Sequence, residues 1–137
     1  MTQLNPYIHF DGNARQAMEF YKGVFGGTLT LNTFKENNMS HDASDDNKIM
    51  HAMLTSDKGL VLMAADSATG WEYVSGKNVS MSLSGEDETE LRGYWDKLAD
   101  GSTVEQPLEK APWGDTFGML TDKFGIRWMV NVTELKG

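Results

Sequence analysis

The chain contains no cysteine, which excludes disulfides, thiolate metal sites and cysteine nucleophiles together. That is compatible with a reducing compartment, and the cytoplasm is the expected location. No segment approaches the roughly 20 consecutive apolar residues of a membrane span, and the opening MTQLNPYIHF has neither a basic leader nor a long apolar run. Neither export nor a membrane partner is expected. Positive charge is also scarce: 12 Lys and Arg stand against 20 Asp and Glu, a formal net charge of −8. The acidic residues gather at Asp42, Asp45 and Asp46 and again from Glu86 to Glu90, so nucleic acid would meet a repulsive surface and is not an expected partner. There is no GxSxG-type turn for a serine nucleophile.

What the chain does contain is a repeat. FYKGVFGG at 20 to 27 returns in register as YWDKLADG at 94 to 101, each copy after a short apolar run and an amphipathic helical pattern. A period of this length is too long for a solenoid element and too short for two ordinary domains. With 137 residues, 39% of them hydrophobic, the chain can bury one core, so a single domain over 1–137 is expected: module one about 1–66, a linker at 67–77, module two about 78–137.

Periodicity places the elements. Asn13 with Gln16 resembles a helix cap, and Ala14, Ala17, Met18, Tyr21, Val24 and Phe25 recur at helical spacing until Gly26 and Gly27 end the run. Ser84 with Asp87 suggests a second cap, followed by Leu91, Tyr94, Trp95 and Leu98 on one face. Strand-like runs precede the helices at 6–10 and 78–83. Others follow at 28–35, 49–56 and 60–66, and at 103–108, 116–121 and 126–133. The fold class is α+β, with the order strand, helix and three strands written twice. The acidic segment 36–47 reads as a surface loop or lid, while 66–77 carries Trp71 and Tyr73, aromatics expected to pack.

PYIHFDGNARQAMEFYKGVFGG, HAMLTSDKGLVLMAAD and WGDTFGMLTDKFGIRWMVN together resemble the PhnB-like branch of the vicinal oxygen chelate superfamily, which includes glyoxalase I, bleomycin-resistance proteins and extradiol dioxygenases. The resemblance spans nearly the whole chain. It implies two βαβββ modules whose curled mixed sheets surround a cavity, with helices on the convex faces and dimerisation as the usual assembly. Members of this branch are often labelled demethylubiquinone methyltransferase-like. The chain has no glycine-rich strand-to-helix turn of the kind that holds S-adenosylmethionine or a dinucleotide.

The superfamily's chemistry uses a divalent metal held by His, Glu or Gln on four strands, and alternation along a strand tests for those ligands. If Val79, Met81 and Leu83 pack under the helix, Asn78, Ser80 and Ser82 face the cavity, and Asn78 takes the family's His position. Carrying the helix repeat back to the first strand aligns His9 with Leu83. That turns Tyr7 and His9 toward the helix and Leu4, Pro6, Ile8 and Phe10 toward the cavity. The remaining positions fall on Leu62 or Met63 and on Met129, and thioethers are poor partners for hard divalent ions. No metal and no cofactor are expected. With the faces reversed, His9, His51 and Asp66 form an alternative metal set.

Arg127, Met129 and Asn131 share cavity parity, and Trp113 with Phe117 forms a possible aromatic wall. The pocket candidates are therefore Asn78, Ser80, Ser82, Trp113, Phe117, Arg127, Met129 and Asn131, with His51 as a candidate acid or base. Trp128 is expected in the core, and His41 in solvent. The function expected is metal-free binding of an unidentified small molecule by a homodimer. The alternative is a lyase, isomerase or dioxygenase with a metal in a non-standard site. Whether turnover occurs is open at this level.

Overall fold

The computed structural model describes residues 2–134, so the expected outer limits at 1 and 137 lie outside the described residues. The chain divides into two compact units, Met1–Ser75 and Gly76–Gly137. Unit one comprises β1 (Tyr7–Phe10), α1 (Ala14–Phe25), β2 (Thr28–Thr33), β3 (Ile49–Thr55) and β4 (Val61–Asp66). Unit two comprises β5 (Met81–Gly85), α2 (Glu88–Leu98), β6 (Thr103–Lys110), β7 (Thr116–Thr121) and β8 (Arg127–Val132). The fold is α+β: each unit is a βαβββ module with a four-stranded mixed sheet, ordered β1-β4-β3-β2 in one and β5-β8-β7-β6 in the other.

In unit one the sheet buries one face against α1. The helix contributes all six apolar residues of its stripe, with Met18 and Tyr21 fully enclosed. Ile8, Phe10, Ala52, Leu54, Leu62 and Ala64 meet them from the strands. Removing each large side chain from water contributes about 1.5–3 kcal/mol. In unit two Leu91, Trp95 and Leu98 of α2 are buried, as are Leu120, Trp128, Val130 and Val132 of the sheet. Gly118 of β7 is required there, because a Cβ at that position would run into the Trp95 ring and the Leu108 backbone. Trp128 is in the core as expected, its indole Nε1 donating to Asp122 at 2.8 Å.

The helix starts differ from expectation in an informative way. Asn13 stands at the cap position of α1, but its side chain makes no capping bond. The capping acceptor comes from a strand: Asp66, at the end of β4, takes the N–H of Gly12 and of Ala14 on Oδ1, at 3.0 and 2.9 Å, and the N–H of Ile49 on Oδ2 at 2.9 Å. In unit two Asp87 itself caps α2, accepting from Glu90 N at 3.0 Å, while Ser84 lies within β5.

The connection before α1 is Asp11, Gly12 and Asn13, whereas the one before α2 is only Glu86 and Asp87. Phe10 and Gly85 are nevertheless equivalent: each pairs with the last residue of its partner strand, and each carbonyl accepts from the next residue's N–H, Ser67 at 2.8 Å and Thr133 at 2.7 Å. The extra residue shifts β1 by one place relative to the helix repeat. A one-residue shift exchanges the faces of a strand. Ile8 and Phe10 are therefore buried under α1, while Tyr7 and His9 lie on the open face, the reverse of the sequence-based assignment.

Asp66→Ala would leave three N–H groups, those of Ala14 and Ile49 buried and that of Gly12 part-buried, without their acceptor. A loss of about 3–5 kcal/mol of unfolding free energy is expected, seen as a lower urea midpoint at unchanged slope. A loss below about 1 kcal/mol would show that solvent or another group replaces the carboxylate.

Candidate functional site

The open face of the first sheet follows from its register. Tyr7 pairs with Met63, and Met63 with Met53, so these share a face with Thr30, the partner of Met53. The next row holds His9 beside Ala65 and His51 beside Asn32. One step beyond the paired Ala52 and Ala64, Ala65 stands opposite His51, so this small side chain separates the two imidazoles.

Across that face the strands contribute no Asp, Glu, Lys or Arg. β2 supplies Thr28, Thr30 and Asn32, β3 supplies His51, Met53 and Thr55, and β4 supplies Val61, Met63 and Ala65. Its only titratable strand side chains are Tyr7, His9 and His51. The Tyr7 ring lies 5.3 Å from that of His9 and 5.8 Å from that of His51, centroid to centroid, and Tyr7 Oη is 3.2 Å from His51 Nδ1. Partial burial pushes the Tyr7 phenol above its ordinary 10.0, so it keeps its proton at neutral pH.

The segment after β4 folds beside this cluster. His9, Ser67, Trp71, Glu72, Tyr73 and Val74 line a cleft of about 360 Å³. Trp71 makes a T-shaped contact with Phe34, ring centroids 5.8 Å apart, yet is 61% exposed, so the expectation that the aromatics of this segment pack holds only in part. The segment is tied down by the acidic stretch that the sequence presents as a loop or lid. Asp45, in a 3-10 turn at Ala43–Asp45, is 2% exposed and accepts from Thr69 N at 3.1 Å and Thr69 Oγ1 at 2.8 Å. Lys48 completes the set at 3.0 Å. His41 is exposed, as expected.

In unit two Ser82 pairs with Met129, and Phe117 with Asn131, which puts these four on one open face together with Arg127, Met119 and Thr121. Trp113 stands against Phe117, ring centroids 5.6 Å apart. Both line a second cleft, of about 270 Å³, with Met119, Gln106, Glu109 and Lys110. Two candidate donors are engaged already: Arg127 Nη1 donates to the Lys77 carbonyl at 2.7 Å, and Asn131 Nδ2 to Asp115 at 3.1 Å. Asn78 and Ser80 precede β5 and belong to no strand, and Val79, expected under the helix, is 73% exposed. The element begins later than its apolar run suggests.

On the open face of unit one Met53 and Met63 are thioethers, and on that of unit two Ser82 and Ser84 are neutral hydroxyls and Met129 a thioether, all poor partners for a hard divalent ion; the imidazoles of His9 and His51 stand on the first face without a carboxylate from its strands. The alternative set of His9, His51 and Asp66 is also corrected: the two histidines share a face, but Asp66 lies on the other side, its oxygens taken by three N–H groups. Among the described residues no three His, Asp or Glu side chains are grouped as metal ligands. Nor is any helix among them long and apolar enough to cross a membrane.

Paired βαβββ modules with open sheet faces define a glyoxalase-like class of protein. Within it, the chain belongs to the family described as 3-demethylubiquinone-9 3-methyltransferase, which matches residues 2–131. It is similar to the Pseudomonas aeruginosa protein PA1353, at 37% identity and a TM-score of 0.83, covering 96% of this chain and 98% of that one. It is also similar to the PhnB protein of Bacillus cereus, at 25% identity and a TM-score of 0.75, covering 96% and 100%. A glyoxylase/bleomycin resistance protein/dioxygenase domain from Frankia sp. EAN1pec shares the fold at 12% identity, with a TM-score of 0.69 over 100% and 96% of the two chains.

The Asp45 carboxyl is held below its ordinary 3.8, chiefly by Lys48 and then by Thr69. A lowered folded-state value stabilises the anchored segment above the ordinary carboxylate range, and the contribution disappears as pH falls through the folded-state value. Trp71 emission should therefore change on acidification below about pH 4, an ordinary aspartate value. The change should be absent in Asp45→Asn, whose spectrum at neutral pH should already resemble the acid form. An identical acid transition in both proteins would contradict this anchoring role.

Proposed function

We propose that the chain is a small-molecule binding protein that holds its ligand non-covalently on the open sheet faces, without the hard divalent ion used elsewhere in the superfamily. The observation that carries this reading is the cleft beside His9. It sets His9, at the edge of a strand face without formal charge, beside Glu72 and two aromatic side chains, Trp71 and Tyr73, in a volume suited to a compact ligand. Sheet faces that meet only water usually carry charge, whereas this one presents methionine, threonine, asparagine and imidazole. The ligand class that fits has an apolar or aromatic body and few polar groups. Ser82, Phe117, Met129, Asn131 and Trp113 of unit two offer a similar mixed lining and belong to the same proposal.

The reading extends to a single-domain homodimer in the cytoplasm. Val74 and Val79, exposed at 74% and 73%, are apolar surface that a second copy would cover.

Organic extraction of freshly purified protein, followed by mass spectrometry, is expected to release a compound in near-stoichiometric amount, and Trp71→Ala is expected to retain several-fold less of it. Thermal unfolding should be unmoved by manganese or iron(II), since an ion that binds only the folded state must raise the midpoint. Protein that carries nothing through purification, shows no quenching of tryptophan emission with aromatic fragments, and gains stability from either ion would overturn the proposal.

A further inference from the structure

The hydrogen bond between Tyr7 and His51 is the most specific polar arrangement on this face, and neither its position nor its chemistry is needed to hold the sheet together. Both residues are on strands whose backbone ladders fix them, on the side away from α1. Their surroundings limit what else can partner them. β2 offers threonines and Asn32, and β4 offers Val61, Met63 and Ala65. The titratable strand neighbour of the pair is His9 on β1, which also lines the cleft whose other residues include Glu72 and Tyr73. The strands of this face present no Lys or Arg to the pair, and the chain carries −8 overall, so a free anion is disfavoured. A neutral acceptor is not.

From this geometry we infer that Tyr7 is the donor that selects a carbonyl-bearing aromatic ligand, with His51 as the group that frees its proton. This rests on the reading of the His9 cleft as a ligand site. In one arrangement His51 Nδ1 is the acceptor, and the Tyr7 O–H is spent on it. In the other, Nδ1 carries the proton and donates to Tyr7 Oη, which leaves the phenolic O–H to point at an incoming carbonyl oxygen. No covalent bond to the ligand forms: His51 gains a proton at Nδ1, either from solvent as Nε2 returns its own to solvent or, in acid, by net uptake of one proton, and the hydrogen bond to Tyr7 reverses. A protonated imidazole can adopt only the second arrangement, so acid conditions favour the carbonyl-binding form. The aromatic body of the ligand would lie against Trp71 and Tyr73 beside His9, whose ring is 5.3 Å from that of Tyr7.

The test compares acetophenone with isopropylbenzene, similar in shape but lacking the oxygen, each titrated into full-length protein and followed by amide NMR shifts. Acetophenone should bind about five- to tenfold more tightly than isopropylbenzene, the range of one net hydrogen bond. Its affinity should rise as pH is lowered from 8 to 5.5, while that of the hydrocarbon should not change. Tyr7→Phe should abolish both the preference and its pH dependence. His51→Gln should keep a preference but lose the pH dependence, because a glutamine amide can still donate to Oη and does not titrate. Binding of both compounds with equal affinity, or a preference that survives in Tyr7→Phe, would overturn the inference while leaving the cleft intact. Failure of both compounds to bind would remove the cleft reading, and this inference with it.

Discussion

The carboxylate of Asp66 is the constraint on which the first module depends. It stands at the end of β4, inside the protein, yet its partners belong to the turn before α1 and to the start of β3. A buried carboxylate without partners would be strongly disfavoured, so the three N–H groups and the anion stabilise one another or none of them is stable there. By holding the turn of Asp11, Gly12 and Asn13 against β4, this contact sets where the helix begins relative to the strand. That in turn decides which side chains of β1 go under α1. Tyr7 and His9 are available on the open face because the turn has three residues and is held in this way.

The second module reaches the same strand order without that device. Val132 stands where the first module has Asp66, and α2 is capped by its own Asp87. The open faces have diverged correspondingly. Ser82 and Ser84 occupy the places of Tyr7 and His9, and Met129 and Asn131 those of Met63 and Ala65. One module thus offers a phenol and two imidazoles on a face without formal charge. The other offers hydroxyls, an amide and an arginine, with Trp113 and Phe117 at its edge.

Much of the fold is legible in the sequence because it rests on local periodicity. The α1 stripe from Ala14 to Phe25, the parity of Trp128 and Met129, and the limits of β7 follow from side-chain spacing alone. What escapes is non-local. The repeat aligns the helices correctly, but one extra residue in a turn reverses the inferred faces of β1, and no periodicity reports turn length. The true cap of α1 is distant in sequence, so Asn13 is a misleading local signal. Asp45 looks like one more residue of a solvated acidic run, yet its pairing with Thr69 and Lys48 fixes the segment that carries Trp71. Of the candidate site, His51 was visible as an imidazole in a strand. His9 joins it only in the alternative with the strand faces reversed, and Tyr7 is hidden by the face assigned to β1.

Tyr7 lies on the open face between two imidazoles. Aromatic NOE spectroscopy on protein labelled at tyrosine and histidine reads this directly. Cross-peaks are expected from the Tyr7 ring to the rings of both His9 and His51, and none to the Met18 side chain in the helix core. Cross-peaks from Tyr7 to Met18, with none to His51, would mean that β1 sits with its faces the other way, and the site described here would not exist.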